Sequence, residues 1–160
     1  MKLKYISWIP SAAIMIIIFW FSSRTADTSN ESSMNIADSL LTTYETVTGV
    51  AYEEPVREER LGSINHFIRK SAHFSEYALL SCSFMLHLLV LHKKGRQLVL
   101  PPVLLSAAYA VTDEFHQTMI SGRGGMLSDV LLDTCGAAAG AIIFHLILQL
   151  FRKVRKSKPA

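Results

Sequence analysis

The chain has 160 residues, 50% of them hydrophobic, and its mean hydropathy of +0.29 is too apolar for an ordinary soluble domain. A net charge of +3 and a pI of about 9.0 raise nucleic acid as a partner, but Lys and Arg gather at the ends of apolar runs, as membrane topology signals do, so no nucleic-acid binding is expected. Cys82 and Cys135 lie in apolar segments without CxxC or Cys/His spacing, which predicts two small buried side chains and neither a disulfide nor a metal site.

Lys2 and Lys4 precede an apolar run from Tyr5 to Phe21, long enough with Ser22 and Ser23 to cross a hydrocarbon core of ~30 Å. It ends in Phe19-Trp20-Phe21 without a small-x-small cleavage site, so it reads as an uncleaved first span, residues 5–23, with Trp20 at the interface. From Arg24 the chain turns polar. Within residues 24–69 the spacing of Met34, Ala37, Leu40, Leu41, Tyr44 and Val47 before Gly49 predicts an amphipathic helix, and Leu61, Ile64, Phe67 and Ile68 repeat the pattern weakly. Further spans are predicted at about 70–92, 98–120 and 129–151, the third opening on Pro101 and Pro102 in its first turn. The expectation is an all-α, integral membrane bundle of four transmembrane helices, a single domain over 1–160, with a long extracytoplasmic loop between the first two. Lys and Arg at the N-terminus, in KKGRQ (residues 93–97) and in the tail from Arg152 to Lys158 outnumber those on the other side, which puts both termini in the cytoplasm.

Eight of the 13 acidic residues lie between Arg24 and Asn65; the others are Glu76, Asp113, Glu114, Asp129 and Asp133, each on a predicted helix and in its outer third. Arg69, His73 and Glu76 share one stripe of the second span, with Tyr77 beside it. Asp113, His116 and Gln117 share a face of the third, from which Glu114 points about a quarter-turn away. Asp129 and Asp133 align with Gly136 and Gly140, and GAAAG lets two helix backbones approach closely. Ionisable groups inside a bilayer cost at least ~2.5 kcal/mol at mid-depth, so convergence of three such stripes points to one shared polar pocket facing outward, with Arg123 carried over it by the turn SGRGG. The alternative is structural: Glu76 or Asp113 pairing with Arg69, Lys70 or Arg123 to hold helix registry, and Asp129 acting as a helix N-terminal acid.

The segments IRKSAHFSEYALL and TDEFHQTMISGRGGMLSDVLLDTCGAAAG resemble the two motif blocks of VanZ-like membrane proteins, and FWFSSRTADTSNESS is similar to the Ser-rich segment after their first helix. The resemblance covers most of the chain apart from a variable region at about 32–61. It implies motif positions at Arg69, Lys70, His73, Glu76, Tyr77, Asp113, Glu114, His116, Gln117, Arg123, Asp129 and Gly136, with Met126 and Asp133 where the family varies. It also implies a bacterial cell-membrane protein, since the family's namesake is associated with low-level resistance to teicoplanin, a lipoglycopeptide that binds cell-wall precursors.

Three functions follow as expectations. The first is an envelope protein that lowers access of such an antibiotic, with membrane lipid and a glycopeptide or lipid-linked cell-wall precursor as partners and with Arg69, Lys70, Tyr77, Glu114, Gln117, Arg123, Asp129 and Asp133 as ligand-binding residues. The second is an integral-membrane enzyme on a lipid or lipid-linked precursor, with His73, Glu76, Asp113 and His116 as acid–base candidates. The third, a proton-coupled transporter, is disfavoured because the acids cluster at one end. The His/Asp/Glu cluster has the donor types for a divalent metal, yet with no HExxH and no phosphatase signature no cofactor is expected.

Overall fold

A computed structural model describes residues 3–157, with side chains as far as Arg155. The side chains of Lys2, Lys156 and Lys158, which enter the charge argument above, lie outside the described residues. Six helices make up the fold, and among the described residues there is no strand: α1 (Leu3–Ile6), α2 (Ile9–Ser22), α3 (Ala26–Thr48), α4 (Val56–Val90), α5 (Arg96–Gln117) and α6 (Leu127–Ser157).

The first apolar run is α1 and α2, with Pro10 in the first turn of α2, where its missing N–H costs nothing. Ile16, Ile17, Phe19 and Trp20 are exposed, as are Leu104 and Leu105 on α5 and Leu131, Ile142, Ile143, Leu146, Ile147 and Leu150 on α6. An apolar surface of that extent suits lipid and not water. Three segments are long and apolar enough to cross a membrane: Leu3–Ser22, Arg96–Gln117 and Leu127–Arg155.

The remaining predicted span, 70–92, lies in α4 as far as Val90, where the helix ends, and does not reach that hydropathy. The cause is visible in its packing. α4 lies against α1, α2, α3, α5 and α6, so a stretch containing His73, Glu76, Ser81, Ser83 and His87 turns much of its surface to other helices, and Tyr77, Leu80, Ser81, Ser83 and Met85 are buried. A helix enclosed by its neighbours is not required to be apolar on every face.

The polar region 24–69 is more helical than the periodicity indicates. The expected amphipathic helix is α3, capped by Thr25, whose Oγ1 accepts from the Thr28 N–H at 3.4 Å, and ended by Gly49 at φ 71°, a left-handed backbone that glycine adopts freely. The weak pattern from Leu61 to Ile68 is the outer part of α4, which begins at Val56 and runs on unbroken past Lys70. α3 lies antiparallel on it, through Asn65 Nδ2 donating to Asn30 Oδ1 at 2.7 Å and Arg57 pairing with Asp38 at 2.6 Å.

Two local expectations are corrected. α5 begins at Arg96, so Pro101 and Pro102 stand beyond its first turn and leave the carbonyls of Gln97 and Leu98 without their usual helical donors. Cys82 is half-buried with Sγ 3.4 Å from the Gly140 carbonyl, but Cys135 is exposed, because α6 turns Asp133, Gly136, Ala137 and Gly140 to the core and 135 faces outward. The close approach expected of GAAAG is present: Gly136 abuts the backbone of Phe74 and Gly140 that of Ala78.

Candidate functional site

The end of α5 builds the centre of the polar site. Ala110, Asp113, Glu114 and Gln117 follow at i, i+3, i+4 and i+7, form one stripe, and are all buried. Glu114 therefore belongs with Asp113, where helical spacing alone placed it a quarter-turn off. Asp113 Oδ2 accepts from Ser22 Oγ of α2 at 2.9 Å and from Gln117 Nε2 at 3.2 Å. Glu114 Oε2 accepts from the Met126 N–H at 2.9 Å. Gln117 passes the network on, since its Nε2 also reaches Glu114 Oε1 at 3.4 Å and its Oε1 accepts from Arg123 Nη1 at 3.2 Å. Arg123 Nη2 lies 3.5 Å from the Phe21 carbonyl, so the turn after α5 is tied to both α5 and α2.

A second set joins α4 to α6. Lys70 Nζ pairs with Asp129 Oδ1, which also accepts from Ser128 Oγ at 3.2 Å. One turn deeper, His73 Nδ1 is 3.9 Å from Asp133 Oδ1, too far for a hydrogen bond. Asp133 is wholly buried, and neither of its oxygens has a hydrogen-bond partner; the Tyr77 hydroxyl, His73 Nδ1 and Asp113 Oδ1 are likewise buried and unsatisfied. Buried polar atoms in that condition are rare enough in folded proteins to call for a reason.

Two clefts flank a shared wall of Arg69, His73 and Arg123. The first, of about 240 Å³, lies between the end of α2, the start of α3 and α4, and Glu76 and Arg24 also line it. The second, of about 280 Å³, includes Lys70, Gln117 and Asp129. Burial first, and then the adjacent Arg69 guanidinium, hold Arg123 below the ordinary arginine range, against the pull of Asp113, Glu114 and Glu76.

Residues 7–149, which carry every one of these side chains, match the family described as VanZ/LLP1. The chain belongs to the VanZ/LLP1 family. No curated protein and no solved structure matches it.

In this VanZ/LLP1 chain the structure brings together Arg69, Lys70, His73, Glu76, Tyr77, Asp113, Glu114, Gln117, Arg123, Asp129 and Asp133 at one end of the bundle. His116 stands apart: it is turned to α2, with Nε2 3.1 Å from Ser23 Oγ and its ring stacked on Phe19 at 4.5 Å, and it lines neither cleft. Among the described residues no three His, Cys, Asp or Glu side chains are grouped to hold a metal ion. Three contributors were not singled out in the sequence, namely Ser22, Arg24 and Ser29. The only local signal for them is their place just after an apolar run, and no spacing rule links residue 22 to residue 113.

Proposed function

We propose that this VanZ/LLP1 protein is a multi-pass bacterial cell-membrane protein whose α4 forms a fourth span, with both termini in the cytoplasm and the polar site at the outer surface. There it engages a lipid-linked cell-wall precursor and lowers access of a lipoglycopeptide such as teicoplanin. The observation that carries this reading is the convergence of Ser22, Lys70, Asp113, Gln117, Arg123 and Asp129 from α2, α4, α5, α6 and the α5–α6 turn at a single end of helices whose outer surfaces are apolar. Lys93, Lys94, Arg96, Arg152, Lys153 and Arg155 gather at the opposite end, where positive charge marks the cytoplasmic side. The test is teicoplanin susceptibility of cells expressing wild type or Asp113→Ala, Gln117→Ala and Arg123→Ala at matched membrane levels. Wild type raises the inhibitory concentration and the variants do not; unchanged susceptibility with wild type, in a strain where a verified relative raises it, sinks the reading.

One observation favours a second reading, an integral-membrane enzyme acting on a lipid or lipid-linked precursor. The half-buried His73 imidazole faces the buried Asp133 carboxyl at 3.9 Å beside the cleft, with Tyr77 and Glu76 close by, and these are the groups that acid–base chemistry uses. Envelope lipids compared by mass spectrometry with and without the protein decide it: an altered lipid species that disappears in His73→Ala favours the enzyme, and identical profiles exclude it.

A further inference from the structure

The lining of the cleft between α2, α3 and α4 is electrostatically unbalanced, although Asp113 and Glu114 beside Arg123 offset part of its charge. Three guanidiniums, Arg24, Arg69 and Arg123, line it against a single carboxylate, Glu76. None of the three arginines forms an ion pair with a carboxylate among the described residues. Arg123 spends its Nη groups on two neutral acceptors, Gln117 Oε1 and the Phe21 carbonyl, and its Nε is buried without a partner. Arg24 is held over Trp20 and Phe21, 5.0 and 5.8 Å from the ring centroids, which fixes a cation at the head of the first span while leaving its N–H donors open. Arg69 and Arg123, which line the same two clefts, repel one another, and an anion between them would relieve that repulsion.

Apart from His73 and four serines, the remaining walls are apolar: Phe21, Ile36, Ile68 and Ala72. Of the four hydroxyls, Ser22 donates to Asp113 and Ser32 and Ser33 donate to backbone carbonyls of α3, which leaves Ser29 as the serine donor beside the guanidiniums. Guanidinium groups are thus the main donors, and their planar forks match phosphate oxygens. The volume of about 240 Å³ is below the ~300–1,000 Å³ of pockets that enclose drug-sized ligands, so the cleft accommodates a head group and not a glycopeptide.

We propose that this cleft binds the phosphate of a phosphorylated amphiphile, the phosphate between Arg24, Arg69 and Arg123 and the start of its apolar chain along Phe21, Ile36 and Ile68. The assignment rests on the outward-facing polar site described above and names its ligand class. It also gives α3 a role, since Ser29 and Ile36 form a wall that the motif blocks do not supply.

The test uses the full-length protein in detergent, with binding followed by thermophoresis against four probes: fluorescent phosphatidic acid, the matching diacylglycerol, inorganic phosphate and inorganic pyrophosphate. Phosphatidic acid binds at least about tenfold more tightly than diacylglycerol, the difference expected for charge-assisted hydrogen bonds. It binds about 100-fold more tightly than either free anion, because the chain adds apolar burial. Arg24→Gln and Arg123→Gln each weaken phosphatidic acid about tenfold, while Arg60→Gln, on the outer part of α4 and outside this cleft, leaves it unchanged. Arg24→Gln removes no ion pair, so an unchanged melting temperature in that variant keeps the result interpretable if Arg123→Gln does not fold. Equal binding of phosphatidic acid and diacylglycerol, or undiminished binding by folded Arg24→Gln, overturns the proposal; so does free phosphate or pyrophosphate binding as tightly as the lipid. Phosphate-dependent lipid binding in a protein that leaves teicoplanin susceptibility unchanged upholds the ligand and removes the antibiotic reading. Protection of cells by a protein that does not discriminate phosphate does the reverse.

Discussion

Gly136 on α6 meets Phe74 on α4 so closely that a side chain's first carbon at position 136 would overlap the Phe74 carbonyl. This contact brings α6 to α4 at the level of the site, one turn from Asp133 and beside His73. The obstacle is backbone, which cannot swing aside. Gly136→Val is expected to destabilise the protein by about 3 kcal/mol or more, and Gly136→Ala by about 1–3 kcal/mol, measured as thermal unfolding in detergent. Gly62→Ala, mid-helix with open space around its Cβ, should instead gain about 0.5–1 kcal/mol; equal effects at the two positions would refute the packing argument.

Lys70 and Asp129 join α4 to α6 at the rim of the site, with side chains 30% and 23% exposed. At that exposure the pair is partly screened, and a double-mutant cycle with Lys70→Met and Asp129→Asn should return a coupling of about 1 kcal/mol. Additive effects would show that the pair contributes nothing to stability.

Glu114 fastens the end of the α5–α6 connection, just before α6, to α5 by accepting from the Met126 N–H. Glu114→Ala leaves that half-buried donor without a partner and should cost about 1–3 kcal/mol, whereas Glu114→Gln keeps an acceptor oxygen and should cost less. Hydrogen exchange at the Met126 amide checks the cause: it accelerates in Glu114→Ala and stays near wild type in Glu114→Gln.

Asp133 is wholly buried with both oxygens unsatisfied. A carboxyl group in that setting opposes folding, so Asp133→Asn, nearly identical in shape and uncharged, is expected to leave stability unchanged or raise it by about 1 kcal/mol or more. A raised melting temperature together with lost antibiotic protection would mark Asp133 as a group kept for the site at a cost in stability. A marked loss of stability would show instead that its charge is compensated in the fold.

Helical class, apolar spans and the polar stripes are visible in the order of residues because each rests on short-range periodicity. The apolar runs from Tyr5 and Leu98, the GAAAG contact and the heavy polar content of residues 69–77 and 113–133 all follow from spacing within one helix. Membership in the family was equally legible, since motif blocks are local strings.

What spacing could not supply is the choice among neighbours. Asp113 and His116 are three residues apart, yet one is buried against Ser22 while the other turns out to Ser23 and Phe19, because α2 lies beside that flank of α5. Ser29 and Ile36 reach the cleft because α3 folds back antiparallel along α4, which makes a wall out of a polar stretch whose spacing says nothing of where it packs. α4 shows the same division. Its composition falls short of a membrane span, and only its position among five other helices explains how so polar a segment is accommodated. Local order determines which faces are apolar; packing decides which polar groups meet, because contacts between residues 22, 69, 113 and 133 depend on how whole helices are arranged and not on any period within one of them.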